Sequence, residues 1–289
     1  MGWVCSTSTK VDAAWEYSKR VCRCLYLPMP TPAQHQELAA QVNFDPDVFS
    51  IIEAESPTFI KKLELVQYWY EDEESAARVN EALPDTVQIQ RNVDLNRRGS
   101  DRFMKLQLDG VFFEIDSPAQ IPVVAKLRAL LPAGYLSITL DFKRRQQLLG
   151  EDWRVSMEST KERSLIGIVK LTDHYQLLSF FGTGAGNYGL GNDDIEKKLR
   201  EWEKLCELEI LGGSGDTLIL AFKTLPEDLL AFAEDMYAFC PDLIDQGYIG
   251  PPLGEGATQD EFFRAMDEQT AEDLADYLER NKFVKFWWD

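Results

Sequence analysis

Histidine is nearly missing from this chain: His35 and His174 are the only two among 289 residues. A zinc centre or a nucleophile–base pair built on imidazole would have to recruit one of them with remote partners. Cysteine is sparse and odd in number, with Cys5, Cys22, Cys24, Cys206 and Cys240 scattered along the chain. With no long apolar leader and cleavage site, reduced thiols in a cytoplasm are expected rather than a disulfide framework. No run approaches the roughly 18 apolar residues of a membrane-crossing helix, so no membrane association is expected. Positive charge is short as well: 30 Lys and Arg face 49 Asp and Glu, for a formal net charge of −19. Nucleic acid phosphates are bound by clustered Lys and Arg, which disfavours DNA or RNA as a partner. A basic protein suits this charge better.

What is present points to an α+β chain. At 289 residues there is material for two domains, each able to bury its own core. Residues 31–42 read as a helix opened by Pro32, and 48–52 and 62–70 as extended. Glu71, Asp72, Glu73 and Glu74 then open a helix, at the end where its dipole favours negative charge. Such a run is a solvated helix start, and its carboxylates are candidate contacts for a basic partner. After a strand at 86–90, residues 103–108 and 111–115 flank Asp109 and Gly110, the pattern of a two-residue hairpin turn. A helix over 117–131 and a strand over 135–142 complete the first half.

Residues 143–164 turn polar and lose periodicity, which sets the expected organisation. An N-terminal α+β domain spans 1–145, a polar linker 146–163, and a C-terminal α+β domain 164–289, each with a mixed or mainly antiparallel sheet packed with helices. The second domain reads as strands at 165–171 and 175–181, a glycine-rich loop, a helix at 194–205 and a strand at 207–211. A late helix at 261–279 and a final strand at 283–288 close the chain.

Its centre is the stretch 216–247. Residues 217–222 are almost wholly apolar, as a strand covered on both faces requires. Thr224 and Glu227 have capping-box spacing around Pro226. Leu225, Leu229, Phe232, Met236 and Phe239 then recur at helical steps, with Glu227, Asp228, Glu234 and Asp235 opposite. Cys240 followed by Pro241 should end that helix. The run PEDLLAFAEDMYAFCPDLIDQG, the preceding GNYGLGNDDIEKKLREWE and the terminal FVKFWWD together resemble the bacterial domain-of-unknown-function family 4253, over roughly residues 164 to 289. The resemblance implies that family's fold and a soluble bacterial setting. It implies no established activity, although some members sit in contexts that suggest toxin immunity.

Several constellations invite chemistry. Gly184, Gly186 and Gly189 match GxGxxG after an expected strand, but dinucleotide binding needs the helix to begin within the motif. Here it begins near Asp193, with Asp193 and Glu196 as a capping pair, so a structural turn is the better reading. Cys240 lies at a helix C-terminus beside Asp242, a setting that raises a thiol's pKa, and reads as a buried structural residue. Asp242, Asp245 and Gln246 lack the spacing of a calcium loop. Adjacent strand residues point to opposite faces, so the indoles of Trp287 and Trp288 cannot share one core layer.

The expected function is a non-enzymatic, acidic binding protein, in particular a bacterial immunity protein that neutralises a toxin or effector directly. Glu71 to Glu74, Glu234, Asp235 and Trp287 are its candidate partner contacts. The alternative is a carboxylate-based or metal-dependent enzyme using Cys240, Asp242, Asp245 and Gln246. No cofactor and no metal site are expected.

Overall fold

The computed structural model describes residues 31–70, 87–91, 103–117, 119–246, 258, 264 and 268–288. Its elements run α1 (Pro32–Val42), α2 (Asp47–Glu53), β1 (Phe59–Tyr70), β2 (Val87–Arg91), β3 (Phe103–Ile115), α3 (Gln120–Leu130), β4 (Leu136–Leu140), α4 (Phe142–Leu149), α5 (Trp153–Ser159) and β5 (Ser164–Val169). There follow α6 (Gln176–Phe181), α7 (Asn192–Trp202), β6 (Leu208–Ser214), β7 (Thr217–Phe222), α8 (Leu229–Phe239), α9 (Asp242–Asp245), α10 (Ala271–Asn281) and β8 (Phe283–Trp287). The expected helix opened by Glu71, Asp72, Glu73 and Glu74 lies outside the described residues.

The first sheet has five strands in the order β1-β3-β5-β4, with β2 also paired to β3, and every pairing is antiparallel. Its spine is β3, which runs unbroken through Asp109 and Gly110 where a hairpin turn was expected. All of β3 but its last residue is held by β1, from Phe103 opposite Tyr70 to Glu114 opposite Phe59. On its other side β2 gives way to β5, and Gly110 stands at that handover. A β-carbon at Gly110 would lie 2.3 Å from the Ile168 carbonyl oxygen, so the glycine serves a close approach of strands rather than a turn.

Alternation along these strands supplies two apolar layers. Leu106, Leu108 and Phe112 face one layer, and Val111, Phe113 and Ile115 the other. The second layer is closed by α1, α2 and α3 through residues such as Phe49 and Leu127. The first layer continues into the three-stranded antiparallel sheet β6-β7-β8 and the helices around it, in one cluster from Phe59 to Trp288.

This arrangement corrects the expected boundary at 146–163. The strand β5, assigned by sequence to the C-terminal domain, sits between β3 and β4 of the first sheet. All six of its residues are buried, and such a strand needs a neighbour on each side and a layer on each face. The polar segment before it is no free linker, because its charged groups reach inward. Arg145, fully buried, pairs with Glu114 on β3 and donates Nε to Glu151 at 3.0 Å. Arg163 reaches the other Glu114 oxygen at 3.2 Å, Thr58 donates to that oxygen at 3.1 Å, and Ser156 to Glu151 at 3.1 Å. Buried charges persist when paired and hydrogen-bonded in this way.

A second tie joins the two sheets. Arg128 on α3 donates to the carbonyls of Ser137 on β4, at 2.6 Å, and Ile210 on β6, at 3.1 Å. Burial lowers the pKa of its guanidinium, with Glu209 acting in opposition.

Other local expectations change too. Residues 48–52 form a helix because Val48, Phe49 and Ile52 fill one buried face. Residues 176–181 are helix α6 rather than a strand, burying Leu177, Leu178, Phe180 and Phe181 and ending at Gly182 in the left-handed region. α8 begins later than the Thr224 signal suggests: Asp228 is its N-cap, accepting from the Ala231 amide at 3.0 Å. Thr224 instead accepts from the Glu207 amide at 2.8 Å. At α7 the cap shifts likewise, the Gly191 amide donating to Asp194 at 2.9 Å while Glu196 pairs with Arg200.

Candidate functional site

The residues singled out for chemistry do converge, around the end of α8 and the short α9. Cys240 has no exposed surface, and its thiol donates to the Trp287 carbonyl at 3.4 Å. Burial, aided by Asp242, pushes that thiol up to about 12 although backbone hydrogen bonds oppose the shift. It is a buried structural cysteine, with no thiolate to offer near neutral pH. Asp242 opens α9 with only 5% of its surface exposed and accepts from Gln246 Nε2 at 3.1 Å. Its neighbour is Tyr188, whose phenol is pushed up to about 12 by desolvation and by the nearby Asp242 carboxylate. Asp245, exposed, accepts from the Tyr237 hydroxyl at 2.8 Å, and that bond raises the Tyr237 phenol above its usual value. Asp245 thus holds one phenol directly, and a second stands beside Asp242.

Sequence reasoning did not name Tyr188 as a site residue. It lies inside the glycine-rich loop, a turn closed by the pairing of Ala185 with Leu190 and carrying Gly189 at φ 70°. The helix α7 starts only at Asn192, which leaves the GxGxxG stretch as the structural turn expected. The available signal was a tyrosine among glycines, a residue type that a turn does not itself require. Among the described residues, no group of three or more His, Cys, Asp and Glu side chains is placed to hold a metal ion.

The candidate partner contacts divide. Glu234 points to solvent on α8. Asp235 is half-buried and bound from two sides, accepting from Lys198 Nζ at 2.8 Å and from Trp202 Nε1 at 2.7 Å. Desolvation acts to raise its carboxyl, but those hydrogen bonds outweigh it and hold the pKa below the ordinary value. Trp287 is half-buried on β8, whereas Trp288 is 3% exposed, stacks on Phe286 and donates Nε1 to the Phe239 carbonyl at 3.3 Å. The indoles split between faces, as strand geometry demands. Glu71, Asp72, Glu73 and Glu74 lie outside the described residues.

His174 is mostly covered. Its Nδ1 accepts from the Ile210 amide at 3.3 Å, leaving Nε2 toward Glu203 at 3.9 Å. Burial lowers its pKa; Asp173, Glu203 and Glu209 oppose that and Arg128 adds to it. The imidazole borders a polar recess of about 450 Å3 lined also by Glu203, Glu207, Glu209 and Lys223.

Beyond these groups the helices show an acidic exterior. Glu227, Asp228 and Glu234 on and before α8, and Glu272, Asp276 and Glu279 on α10, are exposed, while the same segments bury Phe232, Met236, Leu274 and Leu278. Between the turn after α7 and the start of α8 lies a groove of about 590 Å3 containing Leu205, Pro226, Ala231 and Phe232.

The C-terminal half combines helices with an antiparallel sheet, an α+β architecture. Residues 165–289 match the model of a family described as Domain of unknown function (DUF4253). The match begins in β5, so the family's segment includes the strand seated within the first sheet. No curated protein and no solved structure matches the chain.

Proposed function

We propose that the chain is a non-enzymatic binding protein that presents an acidic surface to a basic protein partner, in the manner of a bacterial immunity protein that occupies a toxin. The observation that carries this reading is the outward-facing carboxylate set of α8 and α10, with Glu234, Glu272 and Glu279 exposed above a buried apolar layer. Such a field speeds encounter with a positively charged surface and repels acidic ones. The test is cross-linking of the chain in its native host, followed by affinity measurement with the recovered partner. Combined reversal of Glu234, Glu272 and Glu279 to Lys should slow association by about tenfold or more at low salt and little at high salt. Binding indifferent to both salt and reversal sinks the reading. A neighbouring toxin that the chain neither binds nor neutralises removes the immunity version alone.

A second reading is a carboxylate-based enzyme at Asp242, Asp245 and Gln246, favoured by the nearly buried Asp242 carboxylate, which accepts from Gln246 and has the Tyr188 phenol beside it. Retained biological function in Asp242→Asn and Tyr188→Phe chains that fold normally disposes of it.

A further inference from the structure

We propose that the groove between the turn after α7 and the first turn of α8 seats a segment of the partner in which an apolar side chain is flanked by Lys or Arg. The inference rests on the acidic-surface reading and names where and how such a surface is engaged. Its centre is Leu205, 60% exposed, the most exposed large apolar side chain among the described residues. Pro226, Ala231 and Phe232 line the same depression, and Phe232 is itself buried, so the groove has a firm aromatic element. An apolar side chain entering here would remove Leu205 from water, a gain that no contact within the described chain supplies.

The rim sets the charge of the occupant. Glu227 and Asp228 border the groove, are exposed, and among the described residues form no salt bridge. Asp235 is already committed to Lys198 and Trp202. The lining cation is Lys204; the negative pole of α7 and the positive pole of α8 both end at the groove and oppose one another, so the free carboxylates of its rim decide the sign. The site therefore favours cations on either side of the buried side chain. Ion pairs at the rim of such a contact act mainly on the rate of encounter and its salt dependence, with a small gain in affinity. A second copy of this chain, also carrying −19, is repelled at long range.

The experiment uses a random peptide library displayed on phage and selected on the immobilised full-length chain. Selected sequences should place an apolar residue between Lys or Arg. A synthetic peptide of the best sequence should lose about tenfold or more in affinity with Leu205→Asp and about threefold with Glu227→Lys. Glu37→Lys, exposed on α1 and outside the groove, should leave it unchanged. Thermal melts confirm that each surface variant is folded. Peptides that are basic but indifferent to Leu205→Asp, and weakened equally by Glu227→Lys and Glu37→Lys, overturn the groove while sparing the acidic-surface reading. Absence of enrichment overturns the groove alone; enrichment of acidic sequences overturns both. Sedimentation showing self-association that Leu205→Asp abolishes assigns the groove to a second copy and overturns the proposal.

Discussion

Gly212 on β6 lies directly against Thr139 on β4, so that a β-carbon added to the glycine would stand 1.8 Å from Thr139 Oγ1 and 3.1 Å from its Cβ. This is the point where the two sheets meet, immediately after the register of β6 shifts between Ile210 and Gly212. Gly212→Ala should therefore destabilise the fold by about 1–3 kcal/mol, the usual cost of overpacking. Thr139→Ala in the same chain should recover part of that loss by removing the nearest atom. Urea denaturation of both single variants and the double variant reads the coupling; strictly additive losses would refute the contact.

Arg145 gives a larger expectation. Its guanidinium is wholly buried between Glu114 and Glu151, and Arg145→Met would leave buried carboxylates short of their counter-charge. The expected loss is about 3–5 kcal/mol, because breaking one side of a buried pair is costly even when the intact pair contributes little. Lys161→Met, on an exposed pair with Glu158, should change stability by no more than about 0.5 kcal/mol. Chemical denaturation at neutral pH distinguishes the two.

The lowered pKa of His174 makes a pH prediction with a definite sign. The folded chain holds this imidazole neutral with Nδ1 as an acceptor, whereas the unfolded chain protonates it at the ordinary value of 6.5. The unfolded state then binds more protons, so the contribution is complete above 6.5 and is lost as pH falls toward the folded value. Urea midpoints should drop between pH 7.5 and 5.5 in the wild type and drop less in His174→Gln. An equal drop in both chains argues against it.

Cys240 and Cys206 should be silent toward thiol reagents in the folded state. Burial pushes them up to about 12 and about 11, so neither supplies thiolate near neutral pH. In a chain with Cys5, Cys22 and Cys24 changed to Ser, labelling at pH 8 should wait on unfolding and accelerate with urea. Prompt labelling of one equivalent, lost in Cys240→Ala, would show an accessible thiol.

The sequence was most readable where one period dominated. The apolar steps of α8, the run of β7 and the final strand are where the pattern placed them, because each must bury one face against a nearby neighbour. Caps were less readable: Thr224 and Asp228 both carry side chains able to cap α8, and only the competing claim of the Glu207 amide on Thr224 decides between them. Short apolar segments such as 176–181 fit strand or helix equally well until their packing is known. The domain boundary misled for a physical reason: Arg145, Glu151, Ser156 and Arg163 are polar in composition but internal in position, paired with one another and with Glu114. At the candidate site, Asp242 and Gln246 are close in sequence and were legible, while Tyr188 reaches Asp242 only through the fold.

The seating of β5 bears on how the family's segment can be handled in isolation. A fragment starting at Leu165 would keep most of this strand but lose β3 and β4, stripping it of both hydrogen-bonding neighbours. Such an orphaned ribbon, apolar on either side, recruits whatever edge is available, and clumping or exchange of strands between molecules is its expected fate.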